Sequence, residues 1–84
     1  MKIQILGTGC PKCAKLADVV ESTARDLGID FEFEKITDIN DIVKFGVMST
    51  PAMVVNGEVK VAGRIPPPEE LEDIFHQSLH SSDQ

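Results

Sequence analysis

One stretch constrains the chain more than any other: an apolar run, two glycines and a pair of cysteines that opens a helical pattern. Ile3-Gln4-Ile5-Leu6 reads as a short buried strand, Gly7-Thr8-Gly9 as the turn after it, and Cys10-Pro11-Lys12-Cys13 as a helix start. These are the only two cysteines in the chain. A helix start presents unpaired backbone N–H groups and the positive end of the helix dipole. Both favour a thiolate over a thiol, and the thiolate is the nucleophile. Pro11 falls at the first helical position, where the N–H that proline lacks would have no partner anyway. Lys12 adds a positive charge between the cysteines, so Pro11 and Lys12 are candidate tuners of thiol acidity. With Cys10 capping the helix and Cys13 one turn in, the two sulfurs can meet across that turn as a disulfide. The expected chemistry is exchange: Cys10 attacks a partner disulfide, and Cys13 resolves the mixed disulfide. Cys13 shares a helical face with Leu16, Ala17 and Val20, so it is expected to be the more buried thiol.

Length and charge narrow the function classes. Eighty-four residues make a single domain, with a core expected over about 2–79 and a short frayed tail, Ser81 to Gln84. A disulfide within so short a loop does little for stability, so the cysteines are not a scaffold. The net charge of −6 argues against nucleic acid and against an anionic membrane surface. The only basic clusters are small, Lys12/Lys15 and Lys60/Arg64. There is no apolar run of about 18 residues to span a bilayer. The chain starts on a strand pattern and not on a charged segment with a long apolar region, so no signal peptide is expected. A reducing cytoplasm follows as the expected compartment, where C-x-x-C is catalytic, redox-sensing or metal-binding more often than structural.

The rest of the chain alternates strand and helix patterns. Cys13, Leu16, Ala17, Val20, Ala24 and Leu27 recur at helical spacing from Pro11 to Leu27, and Gly28 stops them. Ile29, Phe31 and Phe33 alternate with Asp30, Glu32 and Glu34 in a strand that runs to Ile36 and has one polar face. Thr37 or Asp38 caps a short helix whose stripe is Ile39, Ile42 and Val43. Val47-Met48-Ser49-Thr50-Pro51 is a loop, with Met48 and Met53 expected in or beside the core, or Met48 instead lining an apolar partner groove near Cys10. Ala52–Val55 and Glu58–Val61 form a hairpin around Asn56-Gly57. Pro66-Pro67-Pro68 leads into a last helix with Glu69 and Glu70 in its first turn and Leu71, Ile74, Phe75 and Leu79 on its apolar side. The order is β-α-β-α-β-β-α. It predicts an α/β fold: a four-stranded mixed sheet, with a right-handed parallel β-α-β unit and helices on both faces.

A strand, C-x-x-C at a helix start and a mid-chain Thr-Pro before a hairpin together resemble the thioredoxin superfamily. The compact order is closer to its glutaredoxin-like end, and to the small redox-active disulfide proteins of archaea and bacteria. The matching motifs are Gly7 to Cys13, Ser49-Thr50-Pro51-Ala52, and Val54-Val55-Asn56-Gly57 through Gly63, so the resemblance spans Lys2 to about Leu79. It implies that Pro51 is cis and faces the cysteine pair. It further implies that Thr50 and Pro51 line a groove where an extended partner peptide pairs with the Thr50 backbone. Thioredoxin proper has a Trp before its first cysteine, and this chain has no Trp. It also has a buried Asp six residues before that cysteine, where this chain has Gln4. Glutathione-binding members show Gly-Gly followed by an acidic or hydroxyl residue after the hairpin. Here a lone Gly63 precedes Arg64, so a protein reductase is the expected electron source.

The expected function is thus thiol–disulfide oxidoreduction by the Cys10/Cys13 pair, acting on disulfide-containing proteins, recharged by a reductase, as a monomer with no bound cofactor. Two other classes stay open. The G-x-x-C-x-x-C spacing is similar to that of soft-metal carriers, which hold Cu(I) or Zn with both thiolates. A non-catalytic adaptor using the same groove would keep its partners without either cysteine. His76 and His80, four residues apart, are expected to lie on an exposed helix flank and not to form a metal site.

Overall fold

The structure, a computed structural model, describes residues 1–9 and 11–81, with side chains to residue 78. Cys10, the side chains of residues 79–81 and residues 82–84 lie outside the described residues; of the tail expected to fray, Ser81 is instead the last residue of a helix. The elements follow the expected order: β1 (Lys2–Leu6), α1 (Pro11–Asp26), β2 (Glu32–Ile36), α2 (Ile39–Lys44), β3 (Ala52–Val55), β4 (Glu58–Ala62) and α3 (Pro68–Ser81). The sheet order is β2-β1-β3-β4. The β1–β2 pair is parallel; β1–β3 and β3–β4 are antiparallel.

The positions of the strands explain their sequences. β1 and β3 are central and covered on both faces, so every residue from Ile3 to Leu6 and from Ala52 to Val55 is buried. Edge strand β2 keeps Glu32, Glu34 and Lys35 exposed. On one face of the sheet, Ile3, Ile5, Met53 and Val55 pack with Leu16, Ala17, Val20 and Ala24 of α1 and with Leu71 and Phe75 of α3. On the other, Leu6, Ala52 and Val54 pack with Ile42 of α2 and Val47. Leu16, Val20, Leu71 and Phe75 are each fully buried. At about 1.5–3 kcal/mol for each such side chain, they offset much of the ordering cost of so short a chain.

The hairpin does more than reverse the chain. Asn56 has φ 52° and Gly57 φ 83°. Positive φ at both central positions is the turn geometry that Asn-Gly favours. Asn56 also anchors the start of β1: its Oδ1 accepts from the Lys2 N–H at 2.9 Å, and its own N–H donates to the Lys2 carbonyl at 2.8 Å. Beyond β4, Arg64 hydrogen-bonds both carboxylate oxygens of Glu70 and ties the hairpin exit to the start of α3. Those hydrogen bonds hold the Glu70 carboxyl below the usual carboxylate range.

Three details depart from the sequence expectation. β2 begins at Glu32, because the stretch before it bonds outside the ladder: the Ile29 N–H donates to Ala24 O and the Met1 ammonium to Asp30 O. The stripe of α2 is narrower than expected. Asp38 caps the helix by accepting from the Asn40 N–H, and Ile42 is buried, but Ile39 and Val43 are each 57% exposed. A helix of six residues turns less than two full turns, so only one apolar position meets the sheet. Of the two methionines assigned to the core, Met53 is fully buried, whereas Met48 is 98% exposed in the loop before β3.

Candidate active site

The end of the sheet from which α1 departs is built by two glycines with different tasks. Gly9 has φ 98°, and a Cβ there would meet nothing within 4 Å. Its place is set by backbone conformation. Gly7 is set by space. A Cβ at Gly7 would lie 2.8 Å from the Cys13 Cβ and would collide with the Cys13 Sγ. The end of β1 is therefore cut away at the point where the Cys13 sulfur sits. Gly7 is itself fixed by its N–H, which donates to the Ile36 carbonyl at 3.0 Å.

Cys13 is buried in the first turn of α1, on the face that continues through Leu16, Ala17 and Val20, as its spacing predicts. A cleft of about 110 Å³ opens beside it, lined by Ile5, Gly7, Gly9, Cys13, Ala14, Lys35 and Thr37. Pro11 and Lys12 are exposed on the same turn. Cys10, the residue before Pro11, lies outside the described residues.

The Thr50–Pro51 loop reaches the same end of the sheet. The peptide bond between them is cis, as the resemblance implies. The β1–β3 register closes with Leu6 opposite Ala52, so Gly7 and Pro51 leave the sheet side by side. Pro51 is fully buried and Thr50 is exposed. Gly63 holds the loop in place: its N–H donates to the Pro51 carbonyl at 2.8 Å, and a Cβ on it would lie 3.0 Å from the Ser49 Cβ. Gly7 thus has the Cys13 sulfur against it and the cis proline as its neighbour across the sheet.

Charge is distributed unevenly around this end. Lys2, Arg25, Lys44, Lys60 and Arg64 each lie within 4.0 Å of a carboxylate oxygen. Among the described residues Lys12, Lys15 and Lys35 do not. Lys12 is in the first turn of α1, Lys15 lies on that helix beside Asp18 and Pro68, and Lys35 lines the cleft. The Lys60/Arg64 cluster seen in the sequence is neutralised by Glu58 and Glu70. Gln4, at the position where thioredoxin proper has an acid, donates from Nε2 to Glu34 Oε1 at 2.8 Å. It alternates with Ile3 and Ile5 along β1, so it faces α2, away from the cleft.

Two contributors to this end are not evident from sequence. Gly7 reads only as a turn residue, and its contact with Cys13 needs the helix direction. Lys35 lies on the same side of β2 as Phe33, and a lysine closing the apolar alternation Ile29, Phe31, Phe33 is the one signal that marks it.

Residues 1–76 match the model of the family described as "Thioredoxin domain". The chain belongs to the thioredoxin superfamily. A thioredoxin of Methanothermobacter thermautotrophicus is 43% identical over 75 residues, spanning 89% of this chain and 97% of that protein. A thioredoxin of Methanocaldococcus jannaschii is 39% identical over 71 residues, spanning 84% of this chain and 81% of that protein. A protein named probable thioredoxin, also from M. thermautotrophicus, is 30% identical over 73 residues. Membership supports chemistry of the thiol–disulfide oxidoreductase type in general terms. Among the described residues no helix is long and apolar enough to cross a membrane. Nor do three or more His, Cys, Asp or Glu gather there as metal ligands; His76 is exposed.

Proposed function

We propose that this thioredoxin-superfamily chain is a cytoplasmic, monomeric thiol–disulfide oxidoreductase that passes two electrons from the Cys10/Cys13 dithiol to disulfides of partner proteins. The Cys10 thiolate attacks one sulfur of the partner disulfide. A sulfur–sulfur bond forms to Cys10, the partner bond breaks, and the departing partner thiolate takes a proton from water. Cys13 then loses its proton, and its sulfur attacks that of Cys10. The mixed disulfide breaks, the second partner thiolate leaves and is protonated, and the chain holds a Cys10–Cys13 disulfide. The partner is reduced by two electrons and the chain is oxidised by two. A reductase protein reverses the change, and no bound cofactor is required.

The observation that carries this reading is the seat of Cys13: a buried sulfur pressed into the gap at Gly7, beside an open cleft. A resolving thiol needs such a seat, shielded from bulky partners yet held close to its target sulfur. Pro11 and Lys12 tune the pair from the first turn of α1. Thr50 and Pro51 shape the groove in which the partner peptide lies, with the Thr50 backbone available for strand-like pairing.

Competitive alkylation of the reduced protein tests the assignment. With limiting iodoacetamide at neutral pH, peptide mapping is expected to find Cys10 modified at least about tenfold faster than Cys13, because attack requires an accessible thiolate. Modification of Cys13 first, or of both at equal rates, would reverse the roles or remove the distinction between them.

A further inference from the structure

Residues 48–50 form a short bridge between two buried anchors. On one side Val47 packs with Leu6, Ile42 and Val54. On the other Pro51 is fully buried, and its carbonyl accepts the Gly63 N–H at 2.8 Å. Ser49, inside the bridge, backs onto Gly63, where a Cβ would lie 3.0 Å from the Ser49 Cβ. With both ends held, the bridge carries Met48 outward, and 98% of its surface is in water. The other exposed large apolar residues among those described, Ile39 and Val43, each keep 57%. The remaining two thioethers are placed differently. Met53 is fully buried in β3, and Met1 is half-buried against the α1 core at the far end of β1.

Access decides which thioether an oxidant reaches. A hydroperoxide gives its outer oxygen to the thioether sulfur. The O–O bond breaks, a sulfur–oxygen bond forms, the methionine is oxidised by two electrons, and the peroxide leaves as water or an alcohol. The place of Met48 gives that step a consequence. Its Cα lies no more than about 7 Å from that of Thr50, the fully extended span of two residues. Met48 therefore continues the rim of the groove that Thr50 and Pro51 shape. An unbranched, polarisable thioether adapts to varied apolar surfaces. A sulfoxide at the same place is polar, and has to shed bound water before it makes the same contact.

We propose that Met48 is a modification site for hydroperoxides: its oxidation to the sulfoxide makes the groove rim polar and slows exchange with protein disulfides. The slowing rests on the redox reading of the cysteine pair; the modification does not. The modification is read in a chain carrying both Cys10→Ser and Cys13→Ser, so that no thiol consumes the oxidant. After hydrogen peroxide, peptide mapping is expected to find sulfoxide at Met48 at least about tenfold faster than at Met53. The slowing is read in the wild-type chain, treated with peroxide as its disulfide and then reduced with dithiothreitol, which restores the thiols and leaves sulfoxides in place. Exchange with insulin is expected to slow by about fivefold, the loss of one partly buried apolar contact. Exchange with hydroxyethyl disulfide, too small to reach from the cysteines to Met48, does not slow. In Met48→Leu, which has an apolar side chain and no thioether, the same treatment leaves the insulin rate of that variant where it was, whatever happens at Met1.

Sulfoxide appearing at Met53 as fast as at Met48 overturns the site. A Met48 sulfoxide that leaves the insulin rate unchanged, or that slows both disulfides alike, overturns its place on the groove. So does a Met48→Leu chain that peroxide slows as much as the wild type. A wild-type chain that exchanges neither disulfide before treatment overturns the redox reading and the slowing with it, and leaves the modification at Met48 to stand on the mapping.

Discussion

Replacing Cys13 with serine is expected to turn the chain into a covalent trap, and replacing Cys10 to abolish its reaction with disulfides. In the first variant Cys10 still attacks, but no sulfur follows to release the partner, so the mixed disulfide accumulates. In the second the attacking atom is gone. Turnover on a model protein disulfide should fall by about three orders of magnitude or more in both, since removing a nucleophile disables the steps that depend on it. The two differ in what remains. Non-reducing electrophoresis and intact mass should show stable adducts with Cys13→Ser and none with Cys10→Ser. Adducts on Cys10→Ser, or an active Cys10→Ser variant, would assign attack to the wrong cysteine.

The second large effect is expected at a residue with no reactive group. Gly7→Ala places a methyl where the Cys13 sulfur lies. Both the Sγ and the Cβ of Cys13 are in the way, so a side-chain rotation alone does not clear the overlap. The first turn of α1 has to move off β1. Overpacking of this kind costs about 1–3 kcal/mol, a large fraction of the margin of a small domain. The displacement is centred on Cys13, whose sulfur must meet that of Cys10. Misplacement of a reacting group by about 1 Å costs on the order of 100-fold in rate. A chemical-denaturation curve should show the lost stability, and stopped-flow mixing should show slower closure of the Cys10–Cys13 bond. Gly9→Ala is the control: a Cβ there meets nothing, but φ 98° is strained for alanine, so stability falls without obstruction at Cys13. Wild-type closure rates in Gly7→Ala would show that the gap at Gly7 is not what seats the sulfur.

The order of the elements was legible because turn chemistry and periodicity agree in this chain. Gly7 to Cys13 marks the β1–α1 joint, Asn56-Gly57 the hairpin, and the proline run the start of α3. The burial of Cys13 followed from its place on the Leu16, Ala17, Val20 stripe, and the cis bond before Pro51 from the resemblance. The misreadings came where burial depends on partners distant in sequence. Ile39 and Val43 have helical spacing, but α2 is too short to lay more than Ile42 on the sheet. Met48 is apolar, yet its loop carries it outward while Val47, beside it, fills the core. Glu34 is exposed, as its strand pattern predicts, and only its bond from the Gln4 amide needs the pairing of β1 with β2. The site was legible as a motif and only partly as a place: the gap at Gly7 and the cation at Lys35 exist because β1, β2 and α1 meet there, which no local pattern records.

The most direct test of the central claim is a redox titration of the wild-type chain in defined dithiol/disulfide buffers, read by thiol trapping and intact mass. The account predicts one reversible two-electron step, with loss of both thiols together as a Cys10–Cys13 disulfide forms, at about −200 to −280 mV, the span of thioredoxin- and glutaredoxin-type couples. Two thiols that stay reduced across that range, or that are lost independently without forming an intramolecular bond, would contradict it.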